Sequence, residues 1–193
     1  MSQQKRASTS SHVREVYEEL GELLKQGDDV FIEEGPDLVK SALKRGFFDG
    51  VETKHAESGT YTRNKIIGDG GRHVIRYMEG PPEYALMPHE HHGRPCFEVL
   101  VEGHLALSDL APTEVGENEY TFEVLGTTVT EAGESAVVDP RENEIHSVYS
   151  PVRSKSLHVY PDDNYRSYGY IQKDEADGDI YERKEFQLRD QDD

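Results

Sequence analysis

From about residue 57 onward the chain runs in short segments rich in Val, Ile, Tyr and Thr, separated by Gly, Pro and Asp. β-branched and aromatic residues suit a pleated surface, and the separators supply turns. The segments read as strands are Tyr61–Ile67, His73–Met78, Cys96–Val101, Leu105–Leu110, Tyr120–Leu125, Ser135–Val138, Ile145–Tyr149 and Ser156–Tyr160. Tyr181–Leu188, anchored by Phe186, is read as a last one. Many short strands without long helices between them predict a mainly β protein, an antiparallel barrel or jelly roll.

The N-terminal part has a different period. Val13, Val16, Tyr17, Leu20, Leu23 and Leu24 recur at three- and four-residue spacing, which predicts an amphipathic helix from Ser11 that Gly27 ends. A second short helix is expected from Pro36, with Leu38, Val39, Ala42 and Leu43 on one face and Gly46 as its stop. Together they form a helical layer packed on the barrel. Residues 1–11 offer nothing to bury and are expected to be a flexible tail. Residues 12–188 are expected to form one domain, followed by an acidic tail at 189–193.

Charge removes several classes of partner. The 39 acidic residues outweigh 21 basic ones, for a net charge of −18. Such a field repels phosphate backbones and anionic lipid heads, so neither nucleic acid nor a membrane surface is an expected partner. No apolar run approaches the roughly 20 residues that span a bilayer, and no apolar core follows Lys5 and Arg6, so no secretory signal is expected. The lone cysteine, Cys96, rules out an internal disulfide and a four-cysteine zinc site. The expectation is a cytoplasmic monomer. Its acidity reads either as an ordinary solubilising surface or as adaptation to a salty host, where self-repulsion is screened.

The chemistry concentrates in Pro88-His89-Glu90-His91-His92-Gly93-Arg94-Pro95-Cys96-Phe97-Glu98. On a strand, residues two apart share a face, so His89 and His91 would both aim into a barrel. Imidazole suits Fe, Zn, Ni and Cu. Metal sites of the cupin type usually add a glutamate after three or four intervening residues. Those positions hold Pro95 and Cys96 here, and Glu98 lies too far along. A third ligand must come from elsewhere, and His146, on a later strand, is the best candidate. Three neutral imidazoles would leave Fe(II) its full charge and open positions, which favours a chelating anionic substrate and a diatomic gas over hydrolysis. In Ser156-Leu157-His158-Val159-Tyr160 the polar residues alternate with apolar ones. They form either an inward hydrogen-bonded row of hydroxyl, imidazole and phenol or an outward, solvated face. No G-x-S-x-G elbow surrounds Ser156, which argues against a serine nucleophile.

Tyr61-Thr62-Arg63-Asn64, His89-Glu90-His91 followed by Cys96, the isolated His146, and Ser156–Tyr160 stand in one order over about a hundred residues. This set resembles the cysteine dioxygenases, the thiol dioxygenase branch of the cupin fold. The resemblance implies a cupin-type barrel in which His89, His91 and His146 hold one Fe(II) per chain. It implies that Arg63 grips the substrate carboxylate, Tyr61 walls the pocket, and Cys96 joins Tyr160 through a thioether. Tyr160 would hydrogen-bond the substrate or the oxygen intermediate, with His158 orienting the phenol and Ser156 fixing the His158 tautomer. The expected partners are a small thiol and O2, with L-cysteine oxidised to its sulfinate. Two rivals are a dioxygenase for 3-mercaptopropionate or another mercapto acid, and a non-catalytic metal-binding cupin. Relatives for the former typically have Gln in place of Arg63 and lack the crosslinking cysteine. The chain departs from the family at Pro161-Asp162-Asp163, where a Ser-Pro-Pro run is common. His92 is read as a loop residue, and His12, His55, His73 and His104 as surface or packing residues.

Overall fold

A computed structural model describes residues 10–53, 61–163, 166–173 and 178–187. His55, Leu188, the expected acidic tail at 189–193 and positions 1–9 of the expected N-terminal tail lie outside these residues. Ser10 caps the first helix, its Oγ accepting from the Val13 N–H, and Ser11 begins it. Helix α1 spans Ser11–Gln26 and α2 spans Asp28–Lys44. α2 therefore starts well before Pro36, which lies inside it. Gly27, with φ +132°, turns the chain in a single residue, and Asp28 and Asp29 complement the helix N-terminus.

Eleven strands follow: β1 Thr62–Gly68, β2 Val74–Gly80, β3 Tyr84–Glu90, β4 Cys96–Glu102, β5 His104–Gly116, β6 Glu119–Glu131, β7 Ser135–Val138, β8 His146–Ser150, β9 Ser154–Tyr160, β10 Arg166–Gln172 and β11 Tyr181–Gln187. β10 was not expected from the sequence, and β3 was expected only as a strand carrying His89 and His91, without bounds. Pro88 interrupts β3 where its register with β8 shifts, between Leu86 and His89, so an irregularity absorbs the missing donor. In β10, Gly169 allows close packing: a Cβ there would lie 2.9 Å from the Phe186 ring.

The strands form a sheet ordered β1-β2-β9-β4-β7 and a closed set β10-β11-β6-β5-β8-β3. The chain passes from one to the other along β2, β3, β4 and β5, and again along β6, β7, β8, β9 and β10. The result is the expected mainly β, antiparallel jelly-roll barrel with an N-terminal helical layer. β5 and β6 form a long ribbon, and β6 meets β11 only at Glu119 and Tyr120. Among the described residues, no strand pairs with the far edge of β6 from Thr121 to Glu131, and Val124, Leu125 and Val129 are exposed there. No helix among the described residues is long and apolar enough to cross a membrane.

The main core lies between the helices and one face of the five-stranded sheet. Ile75 and Tyr77 of β2, Phe97 and Val99 of β4, and Leu157 and Val159 of β9 pack with Val13, Val16, Tyr17 and Leu20 of α1 and Phe31, Val39 and Ala42 of α2. Gly35 lets α2 approach: a Cβ there would lie 2.6 Å from the Phe97 ring. His73 belongs to this packing, donating from Nε2 to the Tyr17 carbonyl at 2.6 Å and stacking on the Tyr17 ring. His12 is exposed and stacks on Phe47, and His104 is exposed.

Candidate metal centre

The opposite face of the same sheet lines a cavity of about 220 Å³. His89 and His146 are register partners where β3 meets β8. His91 does not continue the strand as expected, because β3 ends at Glu90. A turn with φ +56° at His92 and +68° at Gly93 directs the chain onward from His91. Glu90 instead pairs with Arg183, whose guanidinium covers the Tyr168 ring. The ligand atoms available from His89, His91 and His146 lie within 4.8 Å of one another. His89 Nδ1 donates to the Met87 carbonyl at 2.9 Å, so its Nε2 carries the lone pair. A backbone hydrogen bond to Glu144 engages the His146 ring.

Burial pushes the His89 imidazole down to about 4. Burial, followed by the neighbouring histidine charges, holds His91 and His146 well below the usual histidine range. All three are therefore neutral near pH 7, the form that binds a metal. Three neutral nitrogen donors fit Fe, Zn, Ni or Cu better than the all-oxygen sites of Mg or Ca. The antiparallel barrel thus brings together three histidine donors that could hold a metal ion.

His158 and Tyr160 of the β9 row line this cavity, and Ser156 is buried beside His158 rather than exposed to solvent. Ser156 Oγ lies 2.8 Å from His158 Nε2, and Tyr160 Oη lies 3.3 Å from His158 Nδ1. Burial, then the nearby Arg63 charge, pushes His158 down to about 3. Burial also raises the Tyr160 phenol. Arg63, on β1, is buried and lines the cavity with Tyr61, whose ring tilts against Tyr84 at 5.2 Å. Cys96 is a free, buried thiol pushed up by burial, and it packs with Tyr160, Val74 and Val138. Beyond the row, Asp163 pairs with Lys65 and lies 2.9 Å from Arg76, anchoring the Pro161-Asp162-Asp163 segment.

The sequence reading weighed Glu98 only as a metal ligand. It is not in the three-histidine group, but its Oε2 lies 3.1 Å from His158 Nε2. It stands two residues after Cys96 on β4, so strand periodicity puts both on the cavity face. Its cross-strand partner is His158, a register that the sequence does not display. Burial pushes its carboxyl up to about 7.

No protein-family model matches this chain, and no curated protein matches it. Solved structures do. A cupin superfamily protein from Desulfitobacterium hafniense is 11% identical, with a TM-score of 0.41 over 56% of this chain and 83% of that one. An RmlC-like cupin from Desulfovibrio desulfuricans is 13% identical, with a TM-score of 0.43 over 58% of this chain and 92% of that one. An oxalate oxidase in complex with the substrate analogue glycolate is 12% identical, with a TM-score of 0.41 over 59% of this chain. The match spans 62% of that oxidase, less than two thirds of its length.

Proposed function

We propose that this protein is a cysteine dioxygenase, a non-haem Fe(II) enzyme that oxidises the thiol of L-cysteine to the sulfinate with O2. The observation that carries the reading is the meeting of three elements in one small cavity: the three-histidine group, Arg63, and the Ser156-His158-Tyr160 row with Cys96 beside it. His89, His91 and His146 would hold one Fe(II), which when bound supplies the redox chemistry that lets a thiolate react with O2. Arg63 grips the substrate carboxylate through two parallel hydrogen bonds, fixing orientation as well as charge. Tyr61 closes the pocket beside it. Tyr160 meets the substrate, His158 holds the phenol in place, and Ser156 holds His158. Cys96 and Tyr160 join through a sulfur–carbon bond. The thiol and ring hydrogens are lost and O2 accepts the two electrons. The link pins the phenol and so preorganises the site.

The test is oxygen uptake by the iron-loaded chain with cysteine, 3-mercaptopropionate and an amine-only thiol, with product mass measured after reaction in labelled O2. The expected result is one O2 consumed per cysteine, with both atoms in the sulfinate. Arg63→Gln should lower cysteine turnover at least about tenfold while iron content stays the same. Peptide mass spectrometry should find a linked Cys96–Tyr160 fraction after turnover. If iron binds but no thiol is oxidised, the reading fails and only a metal-binding barrel remains.

A further inference from the structure

We infer that Glu98 is a fourth member of the Ser156-His158-Tyr160 row, a positioning residue whose protonation state decides whether Tyr160 offers the cavity its proton or a lone pair. The inference deepens the reading of Tyr160 as the phenol that meets the substrate. It starts from an ambiguity at His158. Ser156 Oγ lies 2.8 Å from Nε2, but a serine hydroxyl donates or accepts equally well, so it does not decide which ring nitrogen carries the proton. Glu98 Oε2, 3.1 Å from the same nitrogen, does decide it.

An ionised carboxylate only accepts. It draws the imidazole proton to Nε2 and leaves a lone pair on Nδ1. The Tyr160 O–H, 3.3 Å away, then donates to Nδ1, and the phenol shows the cavity its lone pairs. A neutral Glu98 carboxyl reverses every bond. Its O–H donates to Nε2, the ring proton sits on Nδ1 and donates to the phenol oxygen, and the Tyr160 O–H turns to the cavity. The row gains one proton overall, His158 stays neutral in both states, and no heavy atom moves.

The surroundings keep both states within reach. Cys96 lies on the same face of β4, and His158 and Tyr160 face Glu98 from β9. The β7 partner is Ala136, which carries no charge. Arg76 of β2 stands beyond His158 and is held by Asp163. Arg63 and His89 line the same cavity from β1 and β3. Within this setting burial brings the Glu98 carboxyl up to about 7, so its two forms exchange near neutral pH. The second oxygen, Oε1, is buried without a hydrogen-bond partner among the described residues, so no fixed donor locks the carboxylate in its ionised form.

The experiment follows the His158 tautomer by nitrogen NMR of the full chain with isotope-labelled histidine, without added metal and again with zinc. The His158 signals are identified by their loss in His158→Gln. The expected result is a proton on Nε2 at about pH 8 and on Nδ1 at about pH 6, with Glu98→Gln abolishing the transition and Ser156→Ala keeping it. A single tautomer across that range in the wild type, or an unchanged transition in Glu98→Gln, overturns the inference. Should Glu98→Gln not fold, the wild-type and Ser156→Ala series decide alone, since loss of the transition in Ser156→Ala assigns it to the serine. The tautomer is read without turnover, so its outcome and that of the thiol oxidation assay are separate results.

Discussion

On β9, Leu157 and Val159 pack under the helices while His158 and Tyr160 turn to the cavity and Ser156 backs His158. On β4, Phe97 and Val99 pack under the helices, and Cys96 and Glu98 turn to the cavity. Two faces one residue out of phase thus carry opposite burdens. The helical face gains roughly 1.5–3 kcal/mol for each large apolar side chain it removes from water. The cavity face buries the Arg63 guanidinium, the Glu98 carboxyl and the His158 imidazole, each at a desolvation cost. The comparison shows why a jelly roll with a polar interior carries a helical layer at all. Apolar burial outside the sheet sustains polar burial inside it.

Single substitutions separate the two faces. Leu157→Ala should lower unfolding stability by about 2–5 kcal/mol in a urea titration, with zinc stoichiometry unchanged in the folded fraction. An equal loss in Ser156→Ala would erase the distinction between the faces. His146→Ala should do the reverse, weakening zinc binding by more than about 100-fold in calorimetry with little change in the urea midpoint.

A smaller effect is expected at a titratable ring on the helical side. Burial, which outweighs its hydrogen bond to Tyr17, holds the folded His73 pKa below 6.5. The unfolded chain therefore takes up the proton first as pH falls. The His73 contribution is fully present above about 6.5 and is lost below it, by at most about 1.4 kcal/mol per pH unit. His73→Gln should flatten the fall in thermal midpoint between about pH 6.5 and 5, relative to wild type. An identical slope in both proteins would show that His73 is protonated in the folded state.

What was legible in the sequence follows from how local each signal is. Alternation within one strand is local, so the β9 row and most strands could be read directly. His146 could be named as a third donor because it lies on a later apolar strand able to return beside the first, though its register with His89 could not be read. α2 was misplaced because a single positive-φ glycine separates it from α1, and the bounds of β3 and the whole of β10 were hidden by Pro88 and Gly169. Both residues weaken an isolated strand and are explained only by what lies beside them: a register shift in one case, a phenylalanine ring in the other. Glu98 was missed for the same reason. Its meaning depends on which residue stands opposite, and register is a property of two strands.

The far edge of β6, unpaired among the described residues, bears on how copies of this protein coexist. Backbone donors and acceptors from Thr121 to Glu131 present a template for another strand, with Val124, Leu125 and Val129 beside them. Glu123 and Glu131 stand on that edge, and every copy carries a net charge of −18. Among the described residues nothing covers this edge, so like-charge repulsion is what opposes edge-to-edge pairing there. That repulsion reaches only about 8 Å at an ionic strength of about 0.15 M and less as salt rises. The colloidal behaviour of the protein is accordingly tied to its ionic surroundings through one strand, on the sheet opposite the one that carries the helices.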